Sequence, residues 1–184
     1  MSTDIDIDFA DREQILKLID HVPAMIKENI KHNTGVYFHQ APTNPFTGLA
    51  TLDYKQAEQR GWFKIDLLNV GIYNEFDSND QIDQLIARTP DWSLLDHKEI
   101  IEQLFHIHNH ADIVIHMRPR SIEQLAMVLA VIRPGKRHLL GKSWEEIANT
   151  VWDKTDDSYS FKRSHAIGYA MAIVLQMNKM TYNF

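Results

Sequence analysis

Asp4-Ile5-Asp6-Ile7-Asp8-Phe9 alternates acidic and apolar residues with period two. Successive side chains of a β-strand point to opposite faces, so this run predicts a strand with one apolar and one acidic face. Three carboxylates on one face repel each other unless a cation sits among them. Hard oxygen ligands of this kind suit Mg2+ or Mn2+. Asp66 is the acid of a third strand pattern, residues 62–68, where Phe63, Ile65 and Leu67 oppose Lys64, Asp66 and Leu68. From a neighbouring strand it would complete the site. Two metals held this way support in-line phosphoryl or nucleotidyl transfer. The plainer reading of the same run is a solvated strand face.

Other segments carry helix and turn signals. Asp11 with Gln14 reads as a helix start, and Ile15, Leu18, Ile19, Val22 and Ile26 then repeat at helical spacing to about Lys31. Residues 35–39 read as a second strand, and the prolines and asparagine of 41–48 as a loop. A helix is expected over 79–88, stopped by Pro90. Asp96 with Glu99 predicts a helix to about His106. The β-branched run 112–117 reads as a short strand. Ser121 with Gln124 opens a helix over 122–133, closed by Pro134-Gly135. Ser143 with Glu146 opens another over 144–153, and Ser164 reads as the N-cap of a last helix to Met180. The expected fold is α+β, with three or four strands and six or seven helices. It is read as one domain, with a sheet-rich part over 1–76 and a mostly helical part over 77–184.

Net charge is −6, and cysteine is absent, which leaves no disulfides or thiolate metal sites. The negative balance argues against strong, sequence-independent grip on nucleic acid by this chain alone. The charge is uneven, however. Asp4, Asp6, Asp8, Asp11, Glu13 and Asp20 crowd the first twenty residues. Arg118, Arg120, Arg133, Lys136, Arg137 and Lys142 face a single acid, Glu123, over 118–142. The stretch 122–132 is interrupted by Glu123 and Gln124 and is too short to span a bilayer. No basic leader region precedes the first strand, so a cytoplasmic location is expected.

Two further clusters invite chemistry. His106, His108 and His110 alternate, with Asp112 and His116 nearby. On a strand they would share a face able to bind Zn2+ or Ni2+; the plainer reading is a histidine-rich turn. Arg133-Pro134-Gly135-Lys136-Arg137 leads to Gly141-Lys142-Ser143, but one residue too many separates the glycines for a phosphate loop of the Walker type. An anion site and a basic interhelical turn both fit it.

Several segments resemble, in order, the catalytic core of the bacterial DNA polymerase III alpha subunit. Asp4-Ile5-Asp6-Ile7-Asp8-Phe9 is similar to that family's PDIDxDF strand. His32-Asn33-Thr34-Gly35-Val36 resembles its HxAGVV strand, and residues 61–68 resemble GLxKFDFLGL. Residues 118–125, continuing to Arg133-Pro134-Gly135, resemble KPxSFEDLxALxALYRPGP. Phe161-Lys162-Arg163-Ser164-His165-Ala166 is similar to FNKSHA, and Gly141-Lys142 to part of the fingers motif. The resemblance implies a reduced palm of the nucleotidyltransferase type, acting in DNA replication and of compact size suited to a phage genome, in the host cytoplasm. Asp4, Asp6 and Asp66 would be its catalytic metal ligands for Mg2+ or Mn2+. Lys64, Arg133, Arg137, Lys142, Lys162 and His165 would contact phosphates or nucleotide. Nucleotide, nucleic acid and replication proteins are the implied partners. The family's Gly-Ser triphosphate loop, most of its fingers and its thumb have no counterpart. The alternative expectation is therefore a catalytically inactive palm that binds replication partners or DNA.

Overall fold

The computed structural model describes residues 5–153 and 161–182. The chain divides into two compact units, Met1–Glu75 and Phe76–Phe184. The fold is mixed α+β, with one four-stranded sheet.

The first unit holds the sheet: β1 (Ile5–Phe9), β2 (Val22–Lys27), β3 (Ile30–Tyr37) and β4 (Ile65–Asn69). Their order is β1-β4-β3-β2. β1 runs parallel to β4, whereas β3 is antiparallel to both β4 and β2. Asp11 caps the short helix α1 (Arg12–Leu16), and Asp53 caps α2 (Tyr54–Gln59), each with a side-chain oxygen accepting backbone N–H groups. Two small cores result. Leu16, Val36 and Leu67 pack on one sheet face. Ala24, Tyr37, Ala50 and Ala57 form the other cluster, with Trp62 against it. Trp62 meets Tyr37 edge-on at 5.4 Å between ring centres.

The helix expected to run to Lys31 ends at Leu16, and β2 follows at Val22. Pro23 explains the change. Inside a helix it would leave a carbonyl unbonded and clash with the preceding turn. On the edge strand β2 its missing N–H costs little, and its carbonyl still accepts from Ala50 N at 3.0 Å. Asn29, at φ 60°, makes the turn into β3.

The second unit is helical among its described residues: α3 (Asn79–Ile86), α4 (Lys98–Ile101), α5 (Ala111–Met117), α6 (Ile122–Val131), α7 (Trp144–Thr150) and α8 (Arg163–Tyr182), with 3-10 turns between some of them. α6 and α8 form the centre of its core. Leu125, Leu129, Ala166, Ala170 and Ile173 are all fully buried there. The alanines of α8 leave room for a close approach by the leucines of α6. Asn178, also fully buried, donates to Leu85 O at 2.8 Å and Arg88 O at 3.1 Å, satisfying the carbonyls at the end of α3.

Three further expectations are corrected here. Residues 112–117 lie in the helix α5, not in a strand. Ala111 and Val114, three apart, are both buried, and this helical spacing outweighs the β-propensity of Ile113-Val114-Ile115. Asp96 does not cap a helix running to His106. Arg120 holds its carboxylate through two bonds, at 2.7 and 2.6 Å, and α4 is short, with His97 at its N-cap. Ser164 is not an N-cap, because α8 already includes Arg163. The Ser143–Glu146 capping box on α7 is present in full. No helix among the described residues is long and apolar enough to cross a membrane.

Candidate functional site

The acidic pair lies on the parallel β1–β4 ladder, at one edge of the sheet of the first unit. Asp6 on β1 is the register partner of Asp66 on β4. Register partners on adjacent strands project to the same face, so the two carboxylates are neighbours. Asp6 is half-buried and Asp66 is buried. Asp4 lies outside the described residues. Asp8 stands two residues on from Asp6, paired with Leu68. The apolar face of β1 is the more open one: Ile5 is 46% and Ile7 38% exposed.

Asp66 is closely surrounded. Lys64, two residues earlier and also buried, forms an ion pair through Nζ with Oδ2. The Thr34 hydroxyl donates to Oδ1 at 2.8 Å. His32 Nδ1 lies 3.7 Å from Oδ1 and accepts the Gly35 N–H at 2.9 Å. Burial pushes the Asp66 carboxyl pKa up. The bond and charge of Lys64, the Thr34 bond and His32 outweigh that and hold it below its ordinary value. The Tyr54 ring closes one side, 5.4 Å edge-on from His32 and 5.9 Å from Lys64 Nζ.

Gly35 makes this crowding compatible with the sheet. It pairs with Asp66 across the β3–β4 ladder. A Cβ there would lie 2.7 Å from Lys64 Cδ, 3.0 Å from His32 Nδ1 and 3.2 Å from Asp66 Oδ1. The position is therefore closed to any side chain unless Lys64 moves. His32, Thr34 and Tyr54 were not among the residues expected to act. The His32-Asn33-Thr34-Gly35 segment drew notice only as a motif, and nothing in the sequence singles out Tyr54.

The donor set suits a hard divalent cation. It offers two adjacent carboxylates, and an ammonium already sits against one of them as a positive charge would. Among the described residues, no group of three or more histidine, aspartate or glutamate side chains is placed to hold a metal ion. That includes His106, His108 and His110, which fall in consecutive turns after α4 and so lack the shared strand face that alternation predicted.

The remaining expected phosphate contacts belong to the second unit. Arg133 stacks on Phe161 at 4.8 Å, and Arg137 Nε donates to Ile132 O at 3.4 Å. Lys142 Nζ lies 3.9 Å from Glu146 Oε1 on the exposed surface. Lys162 is half-buried just before α8, and His165 lies on the first turn of α8 with its ring stacked on Phe161. Lys64 is thus the one expected phosphate contact that shares a unit with Asp6 and Asp66.

No protein-family model matches the chain, and no curated protein sequence matches it. The likeness to the polymerase alpha subunit rests on the motifs quoted above.

Proposed function

We propose that the first unit is a palm-like module that binds Mg2+ or Mn2+ through Asp6 and Asp66, with Asp4 as the third ligand, and handles the phosphates of a nucleotide in DNA replication. The observation that carries this reading is the register pairing of Asp6 with Asp66 on adjacent parallel strands. A divalent cation in such a site supplies charge neutralisation at a phosphoryl centre and activates an attacking hydroxyl. The chain's own contribution is positional. The sheet fixes the two carboxylates, Gly35 clears the space beside them, and Lys64 provides a cation beside Asp66 for an incoming phosphate. In the absence of metal, Lys64 and Thr34 keep the Asp66 carboxylate satisfied.

The same closure favours a second reading. Both Asp66 oxygens already have partners within the chain, so the module also suits a catalytically inactive palm serving as a binding scaffold for replication proteins or DNA. Extension of a labelled primer with deoxynucleotides and Mn2+ separates the two. The active reading expects product that disappears with Asp6→Asn. Absence of product from wild type, with Mn2+ binding intact, would leave only the scaffold.

A further inference from the structure

A cavity of about 390 Å³ opens in the first unit, between the turn from β2 to β3, the loop after β3 and the start of α2. That volume falls within the range of small-molecule sites, about 300–1,000 Å³. The backbone builds it. The Ala50 N–H donates to Pro23 O at 3.0 Å, and Met25 bridges to Asp53, so residues 50–53 run beside the edge strand β2. The loop closes on itself, with the Asn44 N–H donating to Leu49 O and the Gly48 N–H to Asn44 O, both at 2.8 Å.

Hydrogen bonds within the walls decide what the cavity still offers. Asn44 Oδ1 accepts the N–H groups of Phe46 at 2.9 Å and Thr47 at 3.4 Å, which leaves Nδ2 to donate. Thr47 Oγ1 accepts the Leu49 N–H at 3.3 Å, which leaves its hydroxyl proton to donate. Asp53 Oδ1 accepts the N–H groups of Lys55 and Gln56, both at 3.0 Å, so its Oδ2 is left as an acceptor. Glu28, on the turn from β2 to β3, adds a second carboxylate. The loop thus supplies donors, and the α2 cap and the turn supply acceptors.

Among the described residues, no lysine, arginine or histidine lines this cavity. Two carboxylates without a cation repel a phosphate or any other anion. An ammonium ligand would leave Asn44 Nδ2 and the Thr47 hydroxyl with nothing to donate to. A neutral ligand with adjacent hydroxyls suits both walls, because each hydroxyl donates and accepts. Phe46, between Asn44 and Thr47 at the tip of the loop, is 96% exposed. Its ring is a flat apolar surface of the kind that the C–H face of a sugar can cover.

We propose that this cavity binds a neutral saccharide, whose hydroxyls are shared between Asn44 and Thr47 on one side and Glu28 and Asp53 on the other, with Phe46 against its apolar face. The proposal does not depend on metal at Asp6 and Asp66, and its test needs none.

The methyl glycosides of glucose, galactose, mannose and N-acetylglucosamine are the probes. Each is titrated into the full chain while the side-chain amide signals are followed by NMR. The expected result is saturable shifts at Asn44 and Gln56 with at least one glycoside, and different affinities across the four. Glu28→Ala and Phe46→Ala should each weaken that binding at least about fivefold. Both side chains are exposed, so the fold is not at stake. Glu58→Ala removes an exposed carboxylate outside the cavity and should leave the affinity unchanged. Saturable shifts with none of the four, equal affinity for glycerol, or equal weakening by Glu28→Ala and Glu58→Ala would overturn the proposal. Saturable binding of putrescine with none of the glycosides would overturn it in favour of an organic cation.

Discussion

Asp66→Asn breaks a buried ion pair with Lys64. Removing one partner of such a pair costs about 3 kcal/mol, and chemical denaturation will measure the loss. Exchanging Lys64 and Asp66 together for Met and Leu should cost far less, since both desolvation penalties vanish. Gly35→Ala pushes a methyl group against Lys64 and His32 and should cost about 1–3 kcal/mol. Acid acts on this chain in two windows. His106 has its folded pKa lowered by burial from 6.5 to about 4, so the unfolded chain takes up a proton that the folded one refuses. Stability is therefore lost as pH falls from about 6.5 towards 4, and His106→Gln should flatten that slope. Asp66 is a carboxylate with a lowered folded pKa. Its contribution is present above its unfolded pKa and is lost as pH falls through the folded value, below the histidine window. Unfolding midpoints followed against pH in wild type and His106→Gln distinguish the two. At this scale the acids were legible in the sequence, because alternation fixes a shared face. The partners of Asp66 were not. Thr34 and His32 reach it only through the antiparallel pairing of β3 with β4, and no local pattern encodes that pairing.

Elements with their own caps were read well. Ser143 and Glu146 cap α7 reciprocally, and Ser121 Oγ accepts the Gln124 N–H at 3.1 Å to open α6. Both signals are local in sequence. Ser143→Ala should cost about 1 kcal/mol, seen as a lower thermal midpoint. Elements decided by tertiary contact were misread. The run from Ile15 to Ile26 has helical spacing, yet Pro23 and the pairing of β2 with β3 make half of it strand. Ile113-Val114-Ile115 has strand propensity, yet Val114 belongs to a helical core with Ala111. The α8 helix shows no clear amphipathic stripe, because Ala172, Ile173, Val174 and Leu175 are buried consecutively. Ile173→Ala in that run removes a fully buried side chain and should cost about 2–5 kcal/mol by denaturation.

The two units set what the whole molecule can do. The described core clusters each draw on one unit: Leu16 to Leu67 in the first, Leu95 to Met177 in the second. The acidic pair and Lys64 lie in the first, and Arg133, Arg137 and the histidine run in the second. The sequence conveyed this separation as an acidic and a basic pole. The central claim concerns the first unit alone, and calorimetric titration of Mn2+ into the whole chain tests it most directly. Wild type should bind saturably. Asp6→Asn, which leaves the Lys64–Asp66 pair in place, should abolish binding or weaken it at least about tenfold. Lys64→Gln should bind more tightly than wild type, because the ammonium and the metal compete for Asp66 Oδ2. Absence of saturable binding in wild type, or binding indifferent to Asp6→Asn, would contradict the account.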